Sequence, residues 1–273
     1  MSEEVKAAKN INRRTALDRA AGIAAIGAAP ALAAVASSPA AAVADAKAPV
    51  RAASSNAHGA ALPTVVAGVR IPCSGLARAT AEFARRVLSE TLFNHVMRTY
   101  LYGSLLFDRR GIRYDREVAF IASVLHDLGL VTTYQTPDER FEIDGADAAR
   151  RFLRERRMSA ERMEVVWDAI ALHTNIGVAS RKRPEIGIVS VGSALDFTGN
   201  GVQQIPSDAL AEIVALFPRT GFKQDALNNI LSLCRTKPMS VLMHPFAEVG
   251  RRHFPDFPVP TVEDLLLAAP FDE

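Results

Sequence analysis

Phe120-Ile-Ala-Ser-Val-Leu-His-Asp-Leu-Gly129 decides how this chain is read. It is an apolar helical run that abruptly presents two polar side chains, His126 and Asp127, next to each other. Imidazole and carboxylate bind zinc, iron and manganese. Burying both on an apolar helix is costly unless something offsets their desolvation, and a metal ion does so most simply. Working outward, His95 lies upstream, with His173 and Asp196 downstream, each in a stretch that reads as helix or helix end.

Helical periodicity continues on both sides. It predicts helices over 77–92, 93–107, 115–128 (closed by Gly129), 144–157, 160–173, 184–197, 208–216, 223–236 and 260–268. Thr261 and Asp264 form a capping box for the last. No alternating strand stands out, and there is no internal repeat. The expected fold is all-α, a single bundle of antiparallel and partly orthogonal helices over residues 73–273. Metal ligands from different helices converge on the core of such bundles.

Bulk charge narrows the partners. The chain has 273 residues and a net charge of +2. Residues 1–44 hold five basic and three acidic side chains; removing them from 32 and 30 leaves 27 of each sign. A neutral body excludes nucleic acid and anionic lipid as expected partners. The arginines at 150, 151, 154, 156 and 157 read as the solvated face of an amphipathic helix. Cys73 and Cys234 are too few and too far apart for a disulfide scaffold or a paired-cysteine metal site.

The N-terminal segment is of another kind. Arg13-Arg14 precede a weakly apolar Ala/Gly-rich stretch, and Ala42-Val43-Ala44 follows as a cleavage-like site. Residues 1–44 therefore read as a twin-arginine export signal, disordered or cleaved in the mature protein. The partner implied is the export machinery, and the location periplasmic or secreted; without a signal function the location would be cytoplasmic. Pro30 and the Ala content argue against a permanent membrane span. Residues 45–72 read as a linker.

Four blocks carry a family resemblance: Phe93-Asn-His-Val-Met-Arg-Thr-Tyr-Leu-Tyr-Gly103, Leu125-His-Asp-Leu-Gly129, Arg140-Phe-Glu-Ile-Asp-Gly-Ala146 and Trp167-Asp-Ala-Ile-Ala-Leu-His-Thr174. Their order resembles the HD-domain metal-dependent hydrolases, and their detail is similar to the cyanamide hydratase branch. The resemblance implies metal ligands His95, His126, Asp127 and Asp196, with Asp127 also shuttling protons. It implies one divalent ion, Zn(II) first and Fe(II) or Mn(II) as alternatives. His173 is expected to donate a proton to the substrate or orient it. Asn94, Thr174 and Asn175 are expected near the substrate. Glu142 and Asp144 read as helix-dipole partners, and His244 as a bystander.

Two departures bear on the chemistry. Phe141 stands where two-ion relatives place a histidine, and Leu130-Val131 follow the His-Asp run where many phosphohydrolases carry a lysine. The reading is therefore a hydratase for a small neutral substrate, cyanamide giving urea or a related nitrile. The alternative is a phosphohydrolase acting on a nucleotide or phosphomonoester. Ala-rich helix faces also suit homo-oligomer formation.

Overall fold

The structure, a computed structural model, describes residues 62–271. The export signal expected over 1–44 lies outside them. The linker expected over 45–72 is outside as far as residue 61, and from there it is not a linker. Strands β1 (Val65–Val66) and β2 (Val69–Arg70) form a short antiparallel hairpin. Val66, Val69 and Ile71 are buried in the main core. The Tyr100 hydroxyl donates to the Arg70 carbonyl at 2.7 Å, tying the hairpin to the bundle. Two-residue strands are too short to show an alternating pattern, which is why sequence periodicity passes over them.

The rest is helical. The helices are α1 (Gly75–Val87), α2 (Glu90–Arg109), α3 (Arg116–Leu125), α4 (Phe141–Glu155), α5 (Ala160–Ala171), α6 (Ile176–Ala179), α7 (Pro184–Thr198), α8 (Ser207–Leu216), α9 (Phe222–Thr236), α10 (Phe246–His253) and α11 (Val262–Leu267). The α1/α2 break falls earlier than the periodicity predicts. Ser89 caps α2 by accepting from the Leu92 amide at 3.1 Å. The predicted third helix stops at Leu125, and Leu128–Leu130 continues as a 3-10 turn. The capping box at Thr261 and Asp264 is present, with both reciprocal bonds made. Arg151 and Arg154 of α4, and Arg156 and Arg157 just beyond it, are exposed. Both cysteines are free, Cys73 exposed and Cys234 buried. Among the described residues no helix is long and apolar enough to cross a membrane.

The bundle is organised around α2, which is buried along most of its length, crossing α7. Glycines permit their close approach. A Cβ at Gly192 would overlap the Thr99 carbonyl, and one at Gly103 would overlap the Ile188 carbonyl. A second, smaller apolar cluster joins α9, the 3-10 turn Pro238–Val241 and α10 around Phe141, Ile230, Leu233 and Val241. This C-terminal group covers one end of the bundle, the end where the metal-type side chains lie.

Candidate metal centre

Adjacent side chains on a continuous helix diverge by about 100°, so a helical His126-Asp127 pair would not meet. The chain solves this by ending α3 at that point. His126 keeps helical backbone angles (φ −63°, ψ −27°), whereas Asp127 turns out (φ −102°, ψ 15°) into the 3-10 turn. Gly129 lets that turn nest on the start of α4, because a Cβ there would overlap the Phe141 carbonyl. His95 comes from α2, and His173 from the turn after α5. Ser190 of α7 donates to the His173 carbonyl at 2.8 Å and fixes that turn.

Each imidazole is locked by a bond at Nδ1. That of His126 faces the Ser123 carbonyl at 2.8 Å, that of His173 the Ile170 carbonyl at 2.7 Å, and that of His95 Asp196 Oδ2 at 2.7 Å. Each Nδ1–H donates to its carbonyl or carboxylate oxygen, and that tautomer leaves a lone pair on each Nε2. All three Nε2 atoms face Asp127. His95 and His126 lie 3.4 and 3.3 Å from its Oδ2, and His173 lies 3.8 Å from its Oδ1. Three imidazole Nε2 atoms thus converge on one carboxylate.

This arrangement fits a cation. His95, His126 and Asp127 offer ligand atoms within 4.8 Å of one another, all buried. Among the described residues His126 Nε2 finds no hydrogen-bond partner, despite full burial. Zn–N and Zn–O lengths of about 2.0–2.1 Å put neighbouring tetrahedral ligand atoms about 3.4 Å apart, which matches the observed separations. Burial lowers the pKa of His126 to about 3 and of His173 to about 4, each helped by the neighbouring imidazole, so both are neutral at pH 7. Burial also raises the Asp127 carboxyl above its ordinary range, partly opposed by the nearby histidines. A bound ion would relieve that cost.

Asp196 is not among the converging atoms. Its Oδ1 accepts from Arg98 Nε at 2.9 Å and from Arg219; its Oδ2 accepts from Arg98 Nη2 at 2.9 Å and faces His95. A carboxylate has about four lone-pair sites, and these contacts fill them. Desolvation would raise its pKa, but the bonds from His95 and Arg98 outweigh this and lower it. Asp196, expected as a direct ligand, therefore stands behind His95 and holds its ring. Arg98 is itself fully buried and donates on to the Phe217 and Pro218 carbonyls.

A cavity of about 190 Å³ opens above His95, Asp127 and His173. Its walls are mainly apolar, with Leu130, Phe141, Phe197, Phe222 and Phe246 among them, and no Lys or Arg among the described residues contributes. Thr174 lines it as expected, but Asn94 and Asn175 are not in its walls, and Asn175 is exposed. Tyr100 and Tyr102 are buried packing residues. Phe141 lies edge-on to His173 and stacks on Phe246, so an aromatic cluster occupies the space beside the centre.

Sequence reasoning missed Glu142 and His244. Both are buried. Glu142 Oε1 accepts from Thr174 Oγ1 at 2.6 Å and pairs with His244 Nε2 at 2.9 Å. Burial alone would raise the Glu142 pKa; the His244 bond and the field of His173 bring it down to about 2. No spacing rule links positions 142, 174 and 244, and only their meeting in space marks them.

The fold and the centre define a helical domain with a buried His/His/Asp group that fits a divalent metal ion. Residues 92–217 match the HD domain family model, a stretch that runs from within α2 to just beyond α8. His95, His126, Asp127, His173 and Asp196 all fall inside it; α9 to α11 lie beyond it. No curated protein matches the chain.

Proposed function

We propose that this HD domain hydrates a small neutral nitrile, cyanamide or an N-substituted relative, to the corresponding urea. The carrying observation is the cavity: mainly apolar, lined by no Lys or Arg among the described residues, and with Leu130 in its wall. Phosphoryl chemistry relies on positive clamps around the transferred group. An engineered cavity of about 150 Å³ takes up benzene, so a three-atom nitrile fits with room for a substituent.

His95, His126 and Asp127 would hold one divalent ion, with His173 Nε2 beside it, and zinc suits this donor set. When bound, the ion lowers the pKa of water and polarises the substrate. The side chains do the rest. Asp196 fixes His95. His173 Nε2 carries a lone pair, so its role is to accept a proton from the attacking water and return it to the nitrile nitrogen; the reading of His173 as a donor from the start does not suit its tautomer. Water oxygen bonds to the nitrile carbon, one C–N π bond opens, and the isourea tautomerises to urea. Asp127, whose two oxygens face the imidazoles of His95, His126 and His173, is the second proton-carrying group. Residues 1–44 would send the protein across the membrane by the twin-arginine route, to act on its substrate in the periplasm.

Metal analysis of the purified chain with a urea-release assay on cyanamide tests this. About one zinc per chain and urea formation are expected. Phosphate release from nucleotides or phosphomonoesters without urea formation would replace this reading with the phosphohydrolase one.

A further inference from the structure

The HD match ends at residue 217, yet the cavity does not. One long wall comes from α9. Phe222 opens that helix and stacks on His95, with ring centroids 4.8 Å apart and planes 23° from parallel. Residues three, four and seven places further on share its helical face: Asp225, Ala226 and Asn229, all lining the cavity. Asp225 thus sits about one turn, roughly 5 Å along the helix axis, from the ring that rests on the metal centre. Asn229 Nδ2 donates to Asp225 Oδ2 at 3.4 Å, and among the described residues no arginine or lysine forms an ion pair with Asp225. The carboxylate stands half-buried in a wall that is otherwise largely aliphatic and aromatic.

We propose that Asp225 receives the N–H groups of the substrate, so that α9 selects a small molecule bearing an amino or amide N–H next to the group that lies at His95 and Asp127. This rests on the nitrile reading for the reacting end and adds the chemistry of the other end. A carboxylate accepts hydrogen bonds and donates none; it rewards H₂N–C≡N and does nothing for H₃C–C≡N. The two molecules have nearly the same shape. Their discrimination therefore isolates the hydrogen bond from size and from the nitrile itself.

The test is a binding titration of the metal-loaded full chain with cyanamide and with acetonitrile, followed by ligand-observed NMR and read independently of turnover. Hydrogen bonds to charged groups are worth about tenfold or more in affinity. Wild type is expected to prefer cyanamide by about that factor. Asp225→Leu should bring the two within about threefold while melting like wild type, and Asn229→Leu, which frees the carboxylate's orientation, should fall between. Equal affinities in wild type, or a preference that survives in a folded Asp225→Leu, would overturn the proposal. A preference lost in Asp225→Leu with no urea formed by wild type would support the N–H site and remove the hydratase reading. Urea formation with no discrimination would do the opposite.

Discussion

At the residue scale, the centre depends on side chains that touch no ligand. Asp196 accepts from Arg98 and Arg219 and holds His95 at Nδ1. Removing such a partner typically weakens metal binding 10–100-fold. Asp196→Asn is therefore expected to keep the fold, lower metal affinity by about that range in a chelator competition, and leave one ion per chain at saturation; unchanged affinity would show that His95 needs no help. Arg98 is a different case. Arg98→Met strips a buried carboxylate of its two-bond partner, and breaking a buried pair costs about 3–5 kcal/mol. Chemical denaturation should read a loss of that size. His126→Ala, which deletes the unpartnered Nε2, should abolish stoichiometric metal in elemental analysis and activity with it.

At the element scale, the α2–α7 crossing positions the centre, since His95 rides on one helix and Asp196 on the other. Overpacking a core costs about 1–3 kcal/mol. Gly192→Ala should cost at least that, because the new methyl meets backbone at Thr99 rather than a flexible side chain. It should also weaken metal binding, whereas Gly177→Ala, where a Cβ meets nothing, should do neither; equal melting temperatures for the two variants would contradict this account. The same scale explains what the sequence made legible. Long amphipathic helices, the His-Asp doublet and the Thr261–Asp264 box are local patterns, and local patterns survive in one dimension. The 65–70 hairpin and α10 are too short to set a period. The Ser89 boundary was hidden by apolar residues that continue on both sides of it. Asp196 carried the spacing of a ligand, but only the meeting with Arg98 and Arg219 shows its oxygens already taken. Glu142 looked like a dipole partner because its position at the helix start was visible and His244, 102 residues away, was not.

At the scale of the whole molecule, the site is a liability that a cation converts into an asset. Without an ion, the folded chain keeps His126 and His173 neutral, with pKa values of about 3 and 4 against an ordinary 6.5. Between pH 6.5 and about 4 the unfolded chain therefore binds more protons than the folded one, and stability falls as pH falls. The contribution is fully present above pH 6.5. Asp127 works in the opposite direction, because its raised carboxyl takes up a proton in the folded state first. Below about 4.5, Glu142, held down at about 2, begins to be lost as well. Urea denaturation of chelator-treated protein should thus be flat from pH 8 to about 7 and decline from there to 4.5, with a limiting slope of about two protons, less the offset from Asp127. A ligand that binds only the folded state at a thousand times its Kd adds about 4 kcal/mol, which for a domain of this size is about 8–16 °C in Tm. Metal-loaded protein should show that gain at pH 7.5. A chelated chain that melts at the same temperature as the loaded one, or grows more stable from pH 7 to 5, would mean that the three imidazoles do not face a shared cation.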